Sequence, residues 1–299
     1  MLPPEGLTQG SRRPFDPCAP RGAGRGGRPG ERPEGCAMSV VDFARFVDEL
    51  ATQSGQAILP FFRAAFVTED KAIGPKPFDP VTEADRAGEA VMRQIIRRTF
   101  PDHGILGEEF GTEGEEAEYV WVLDPIDGTR GFIAGLPLWG TLIGLTRAGT
   151  PCYGLMHQPF LGERFSGDGR SAQYRGPNGT RKLLTRRRAA LSEAIAATTD
   201  PRLFGEGRDR EAYGRVEAAT RLMRFGTDCY SYCMLAAGQI DLVIEAGLKP
   251  YDIVALIPIV EGAGGIVTSW DGGPAAGGGN VVAAGDKRLH EAALEMLNR

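Results

Sequence analysis

VWVLDPIDGTRGFIAGLP, residues 120–137, holds the most informative pattern in this chain of 299 residues. An apolar run typical of a buried strand ends in two acids, Asp124 and Asp127, and a glycine and a threonine follow at once. Two like charges about 4 Å apart repel by roughly 4 kcal/mol at an effective dielectric constant near 20. A strand that ends in two neighbouring carboxylates therefore predicts a positively charged ligand at this turn.

The overall composition narrows the class of protein. Hydrophobic residues make up 42% of the chain and charged residues 24%, which is ordinary for a soluble globular protein. No apolar run approaches the roughly 20 residues that a bilayer crossing needs, so no membrane contact is expected. The net charge of -5 gives no sign of nucleic-acid binding. Cys229 and Cys233 are interpreted as small buried residues in a reducing compartment, which favours the cytoplasm.

Residues 1–37 differ from the rest of the chain in composition. They contain 8 glycines and 7 prolines interleaved with arginines. Such a segment cannot bury enough apolar surface to offset its ordering entropy, so we expect disorder. Met38 then opens an amphipathic helix and is a candidate start of the protein. We interpret residues 1–37 as a leader read from an upstream start codon, and a basic interaction tail is the alternative.

Hydrophobic periodicity predicts how the remaining chain is organised. Two helices, one from Met38 and one from near Thr82, precede an antiparallel sheet in the first half. The second half alternates strands and helices, including a helix near 208–223. We therefore predict an α/β (α+β) fold in two subdomains, residues 38–190 and 191–299, without an internal repeat.

Further acids recur where an apolar strand or helix ends. Asp85, Glu108 and Asp252 all occupy such places, as do the two acids of the DPIDGT turn. The ordinary explanation of a single acid there is a helix cap or a turn residue, and it suits Asp85 taken alone. It is weaker for DPIDGT, where two acids share one turn.

The other residues of DPIDGT indicate what the turn binds. Pro125 stiffens the turn, Gly128 permits a close backbone approach, and Thr129 can open the next helix. Free N–H groups at a helix start attract anions, yet the neighbouring acids would repel a phosphate. Mg²⁺ resolves both repulsions, because it takes a few carboxylate ligands and lets a phosphate complete its shell. The sequence thus predicts acids that bind metal ions and metal ions that bind phosphate.

Three elements, GEE at 107–109, LDPIDGT at 123–129 and PYDIVA at 250–255, resemble in order and spacing a known signature. It is that of the inositol monophosphatase superfamily of Mg²⁺-dependent, lithium-sensitive phosphatases. The resemblance extends from about residue 40 to the C terminus. It implies a layered αβαβα sandwich of the sugar-phosphatase type, a small phosphomonoester as substrate, and direct attack by water without a phosphoenzyme. By analogy with relatives it also implies a homodimer.

The resemblance assigns metal ligands to matching positions. Glu108, Asp124 and the carbonyl of Ile126 would hold the first Mg²⁺. Asp124, Asp127 and Asp252 would hold the second. Glu108 would also help to place a third, weaker ion through water molecules, which gives two to three Mg²⁺ per site.

The resemblance also assigns groups to the water and the phosphate. Asp85 with Thr129 would orient or deprotonate the attacking water. The backbone amides of Gly128 and Thr129 would receive the phosphate. A family lysine before the Thr-Glu-Ala-Asp element has two candidates, Lys71 and Lys76, and the loop length does not choose between them.

Three details favour histidinol-phosphatases of the inositol monophosphatase-like type. Arg130 begins RGFIAGLPLWGTLIGL, where inositol enzymes usually read Thr-Asn-Phe. Asp228 lies where inositol enzymes commonly have a small residue, and Glu245 precedes Asp252 at the distance of the family's substrate-touching acid. An extra carboxylate suits a cationic substrate such as L-histidinol phosphate, which carries an ammonium and a partly charged imidazole. The expected setting is histidine biosynthesis.

Other interpretations stay open. Asp228 could be a helix N-terminal acid stabilised by the dipole, and Arg130 a surface residue or its salt-bridge partner. The substrate could be inositol monophosphate or a nucleotide phosphate, and a regulatory binding protein could retain the fold.

Two remaining features are interpreted as structural. The three histidines, His103, His157 and His290, have no serine or cysteine partner in a recognisable frame, so we expect them to be structural or exposed. The glycine-rich segment 271–280 lacks the ending of a phosphate-binding loop and is predicted to be a turn between strands.

Overall fold

The computed structural model describes residues 40–64, 68–70 and 80–299. The predicted leader, Lys71 and Lys76 lie outside these residues. The helices are α1 (Val40–Ile58), α2 (Glu83–Thr99), α3 (Thr129–Ile133), α4 (Arg208–Ala219), α5 (Asp228–Ala236), α6 (Pro250–Ile253), α7 (Leu256–Gly262) and α8 (Lys287–Leu297). The strands are β1 (Thr68–Asp70), β2 (Pro80–Thr82), β3 (Gly104–Gly107), β4 (Gly111–Glu113), β5 (Tyr119–Asp127), β6 (Gly140–Arg147), β7 (Thr150–Gln158), β8 (Glu163–Gly167), β9 (Ala172–Gly176), β10 (Gly179–Lys182), β11 (Ile195–Thr198), β12 (Leu222–Phe225), β13 (Leu242–Leu248), β14 (Ile266–Ser269) and β15 (Gly279–Ala284). Short 3-10 helices span Leu59–Phe61, Leu191–Glu193 and Pro201–Phe204.

An eight-stranded sheet forms the first half, in the order β10-β9-β8-β7-β6-β5-β3-β4. Its neighbours are antiparallel except β3 and β5, which run parallel. The apolar run of β5 is buried because Trp121 and Leu123 face α1 and α2. In α1 the buried residues Phe43, Val47 and Leu50 recur at helical spacing and form one apolar face. The two helices and the largely antiparallel sheet predicted here are confirmed.

A five-stranded sheet forms the second half, in the order β12-β11-β13-β15-β14. Strand β11 pairs in parallel with β12 and β13, so the carboxyl ends of these three strands lie at one edge. Strands β14 and β15 are antiparallel, and the glycine-rich segment between them is the predicted connection between strands. The helix predicted near 208–223 ends earlier, at Ala219, because Thr220 is extended and Leu222 enters β12.

Five layers alternate between helix and sheet. Helices α1 and α2 cover the outer face of the first sheet, and α4 and α8 cover the outer face of the second. Between the sheets, α5 and α7 share a core with residues of both sheets. The predicted αβαβα sandwich is confirmed. The boundary at residue 190 falls between the two sheets, and the division into two subdomains stays a prediction.

No helix in the described ranges is both long and apolar enough to cross a membrane.

Candidate functional site

The DPIDGT turn leaves the end of β5 through a bulge. Asp124 is opposite Leu142 and Asp127 is opposite Gly140, so β5 has one extra residue between these two pairs. The Ile126 amide donates to the Asp124 carboxylate at 3.0 Å, and this hydrogen bond fixes the side chain. The bulge thereby places both carboxylates on the turn that leads into α3.

Gly128 closes the turn in a conformation that only glycine adopts easily. Its φ is +86°, and an added Cβ would lie 2.9 Å from the Leu138 carbonyl oxygen. The next residue, Thr129, begins α3, and its hydroxyl donates to the Ile126 carbonyl at 3.0 Å. The backbone of Gly128 therefore lies close to the backbone of Leu138, an approach that a side chain at this position would prevent.

Asp124, Asp127 and Asp252 form one carboxylate cluster, with candidate ligand oxygens all within 4.8 Å of one another. Asp252 comes from α6, where the Lys249 amide donates to its carboxylate at 2.6 Å. The Asp127 carboxylate accepts the Cys229 amide at 2.6 Å, at the start of α5. Segments distant in sequence thus converge on the turn.

A second cluster joins Asp85, Glu108 and Glu109, again with ligand oxygens within 4.8 Å of one another. Asp85 is buried in the first turn of α2. Glu108 follows β3, and its amide donates to the Leu123 carbonyl of β5 at 3.2 Å. Glu109 is the residue that sequence reasoning missed here, although the paired acids of GEE already pointed to it.

Mutual repulsion links the two clusters. Burial raises the pKa of Asp124 well above its usual value, and four neighbouring carboxylates raise it further. They are Glu108, Asp127, Asp252 and Asp85. Burial and other carboxylates also raise the pKa of Asp127, and burial raises that of Asp252 to about 7.

The donor set fits a hard divalent cation. Among the described residues, no lysine or arginine charge is a leading influence on the pKa of Asp124 or Asp127. Mg²⁺ prefers carboxylate oxygens and would supply the missing positive charge. These acidic clusters could therefore hold metal ions.

Asp228 lies beside the turn, at the beginning of α5. A Cβ added to Gly128 would be 3.3 Å from the Cβ of Asp228. Burial raises the pKa of the Asp228 carboxyl to about 6, while the nearby Arg130 charge and the Thr199 side chain oppose that rise. Arg130 is exposed, yet near enough for its charge to act on Asp228. The structure thus brings both predicted substrate residues to the edge of the acidic turn.

Glu245 lies deeper, with its side chain 1% exposed. Its carboxylate accepts the Thr199 amide at 2.8 Å, the Thr199 hydroxyl at 3.0 Å and the Thr198 hydroxyl at 3.3 Å. Burial, and then the charge of Asp228, raises the pKa of Glu245 to about 8. The Thr199 hydroxyl donates to Glu245 and also influences the pKa of Asp228, so Thr199 and Glu245 form the buried wall of the Asp228 pocket.

Sequence reasoning missed three more residues around this pocket. Thr199 and Asp200 follow the buried strand β11, and polar residues directly after such a strand were the available signal. Tyr232 gave no local signal, because it lies one helical turn after Asp228 within an apolar helix. Its hydroxyl is buried with no hydrogen-bond partner in the described part of the chain.

The three histidines have structural contacts away from the turn. The Trp121 indole N–H donates to His103 at 3.1 Å, and His290 bonds to the Thr268 hydroxyl at 2.9 Å. His157 is buried beside the Glu163 carbonyl, and burial lowers its pKa to about 4. These contacts agree with the structural role predicted for them.

Comparisons with known proteins agree with this geometry. Residues 40–299 match the inositol monophosphatase family. The bifunctional phosphatase IMPL2, chloroplastic, of Arabidopsis thaliana is 44% identical over 280 residues, which are 89% of this chain and 78% of that protein. The histidinol-phosphatase of Mycobacterium tuberculosis is 36% identical over 241 residues, 79% of this chain and 92% of that protein. The structure of an inositol monophosphatase from Zymomonas mobilis matches with a TM-score of 0.76 and 41% identity, over 87% of this chain and 98% of that one.

Proposed function

Because the chain belongs to the inositol monophosphatase family of phosphatases, we propose that it hydrolyses L-histidinol phosphate to L-histidinol and phosphate. The observation that carries this proposal is the carboxylate of Asp228 beside the Gly128 turn. A substrate held there would have its phosphate at the turn and the rest of the molecule against an acid. Histidinol phosphate supplies the matching positive charge, since it carries an ammonium and a partly charged imidazole.

Charge complementarity supports a cationic substrate. With a pKa of about 6, the Asp228 carboxyl is mostly ionised at pH 7. The Asp200 carboxylate is close enough to raise that pKa, but its own charge is paired with Arg202 at 2.5 Å. A cationic group at this place would be attracted by Asp228, whereas a neutral polyol offers only hydroxyl groups.

We assign metal binding to the two carboxylate clusters. Asp124, Asp127 and Asp252 would hold one Mg²⁺, and Glu108 with Asp124 and the Ile126 carbonyl would hold another. When bound, such a pair of ions stabilises negative charge on the phosphoryl oxygens and makes water more acidic.

The remaining roles fall to residues of α2 and α3. Asp85 would accept the proton of the attacking water, and Thr129 would help to orient that water. The amides of Gly128 and Thr129 would donate hydrogen bonds to the phosphate. Thr129 also donates its hydroxyl to the Ile126 carbonyl, which ties the orienting residue to a proposed metal ligand.

Inositol 1-phosphate is the second candidate substrate. A solved inositol monophosphatase is 41% identical to this chain, a higher value than the 36% of the histidinol-phosphatase from Mycobacterium tuberculosis. A carboxylate at Asp228 could also accept hydrogen bonds from inositol hydroxyls. The two candidate substrates differ in whether their binding depends on the negative charge of Asp228.

Phosphate release from the two esters in the presence of Mg²⁺ tests the proposal. We expect a higher kcat/KM for histidinol phosphate, and a strong preference for inositol 1-phosphate would reject it. Asp228→Asn should raise KM about tenfold or more for histidinol phosphate, because hydrogen bonds to charged groups contribute about 1.5–3 kcal/mol. The matched control is Asp271→Asn, an acid in the glycine-rich connection, which should leave both substrates unaffected. Equal losses on both substrates in Asp228→Asn would count against its proposed role.

A further inference from the structure

Glu89, in the middle of α2, is a buried carboxylate that belongs to neither acidic cluster. Its side chain is 0% exposed. It accepts the Glu109 amide at 2.6 Å, the Phe110 amide at 3.2 Å and the Arg93 Nε at 2.7 Å. Two of these donors are backbone groups of the turn that directly follows Glu108, so Glu89 fixes that turn.

Gly107, the last residue of β3, also lies against the Glu89 carboxylate. A Cβ added to Gly107 would lie 1.9 Å from Glu89 Oε1, so a side chain at that position would displace the carboxylate. Arg93 also donates to the Gly111 carbonyl, beyond the turn. Helix α2 therefore holds the backbone both before and after Glu108.

Charge balance separates Glu89 from the acids of the site. Its ion pair with Arg93 is buried, with both side chains at most 4% exposed. Arg93 thus supplies the countercharge of Glu89, whereas Asp124 has no such arginine partner among the described residues. The carboxylate of Glu89 is consequently available for backbone hydrogen bonds and needs no metal ion.

We propose that Glu89 is a positioning residue, which holds Glu108 in the orientation in which Glu108 binds a metal ion. Asp85 and Glu89 are four residues apart and share one face of α2. Helix α2 therefore carries Asp85 itself, and it orients Glu108 through the backbone amides of the two residues that follow Glu108. The proposal rests on the proposed function in one respect, the role of Glu108 as a metal ligand.

Glu89→Gln tests this role with little change of shape. The amide oxygen can accept from one of the turn's N–H groups, but the amide NH₂ would face the other donors. Hydrogen-bond partners of metal ligands contribute about 10–100-fold to metal affinity or activity. We expect the Kd for Mg²⁺ alone, measured by titration calorimetry without substrate, to rise at least about tenfold. At saturating Mg²⁺, KM for the substrate should be unchanged.

Glu113→Gln is the matched control. Glu113 also pairs with Arg93, at 3.4 Å, but it is partly exposed and it bonds to the arginine side chains Arg93 and Arg97 of α2. Because Glu113 does not bond to the turn after Glu108, Glu113→Gln should leave the Kd for Mg²⁺ within about twofold of wild type. An equal rise in both variants would overturn the proposal, because it would indicate a general loosening of α2.

A wild-type Kd in folded Glu89→Gln would also overturn it. If Glu89→Gln does not fold, Gly107→Ala decides, because its methyl group displaces the carboxylate while Glu89 remains. A weaker Mg²⁺ Kd in that variant supports the proposal, and an unchanged Kd rejects it. Metal binding is measured without substrate, so failure of the histidinol phosphate proposal would leave this result intact.

Discussion

Asp124, within β5, and Asp241, directly before β13, are both buried aspartates, yet their surroundings are opposite. Asp241, 0% exposed, accepts Arg186 Nε at 2.8 Å, Arg186 Nη2 at 2.7 Å and the Ile195 amide at 2.8 Å. Asp124, 1% exposed, accepts the Ile126 amide and is surrounded by four carboxylates. One acid has its countercharge within the described chain, and the other does not.

This difference separates structural acids from candidate functional acids. A buried carboxylate that is paired and hydrogen-bonded contributes to the folded state, and its loss leaves a partner unsatisfied. A buried carboxylate among other carboxylates opposes folding until something positive binds. Burial is common to both acids, so the absence of a compensating cation is what identifies the site.

Asp124→Asn should have the largest effect on activity. Metal ions contribute several kcal/mol to transition-state stabilisation, so losing a shared ligand should lower kcat/KM about 10³-fold. In metal-free protein the same change should raise Tm, because it removes one of the repelling charges. Phosphate release and thermal unfolding in EDTA measure the two effects. A fall in metal-free Tm would contradict the repulsion on which the comparison rests.

Asp241→Asn should show the reverse pattern. It removes the charge paired with Arg186, whose side chain is 33% exposed, and puts an amide NH₂ against the donors. Hydrogen bonds to charged groups contribute about 1.5–3 kcal/mol, which is the loss we expect. Urea unfolding at 25 °C measures this loss in the free energy of unfolding. The kcat of the folded fraction should equal that of wild type. An unchanged free energy of unfolding would show that the Asp241–Arg186 pair does not stabilise the fold, and the contrast with Asp124 would fail.

Glu245→Gln tests an intermediate case, a buried carboxylate held by hydroxyl and amide groups. The folded-state pKa of Glu245 is about 8, against an ordinary value of 4.5. Between these values the folded protein binds a proton that the unfolded chain releases, so stability falls as pH rises from 4.5 to 8. This one group contributes a slope of up to about 1.4 kcal/mol per pH unit.

The variant should therefore have a flatter stability profile than wild type. Urea unfolding of both metal-free proteins at pH 5, 6, 7 and 8 measures the difference. Parallel profiles would mean that Glu245 does not carry a proton in the folded state.

Local patterns in the sequence predicted much of the site. The turn at Asp124 and Asp127 was visible because two acids, a proline and a glycine follow an apolar strand without interruption. The layered fold was also predictable, since hydrophobic periodicity and the family signature both extend over most of the chain. Which residues touch Glu108 was not predictable in the same way.

The contacts missed from sequence join segments that are distant in the chain. Glu89 has the spacing of an ordinary helical acid, and only the folded turn reveals its bonds to the Glu109 and Phe110 amides. Thr199 likewise acquires its role when β11 lies beside β13. The end of α4 was misjudged because β-pairing, rather than helix propensity, decides the conformation of residue 222 onward.

Crystals grown with Mn²⁺ in place of Mg²⁺, and with phosphate, test the central claim most directly. Anomalous scattering locates Mn²⁺ without reference to the expected site. We predict at least one peak bound by carboxylate oxygens of Asp124, Asp127 and Asp252, at about 2.0–2.3 Å. Side chains turned away from each other, with no anomalous peak among them, would contradict the claim that a divalent cation is what these acids converge to bind.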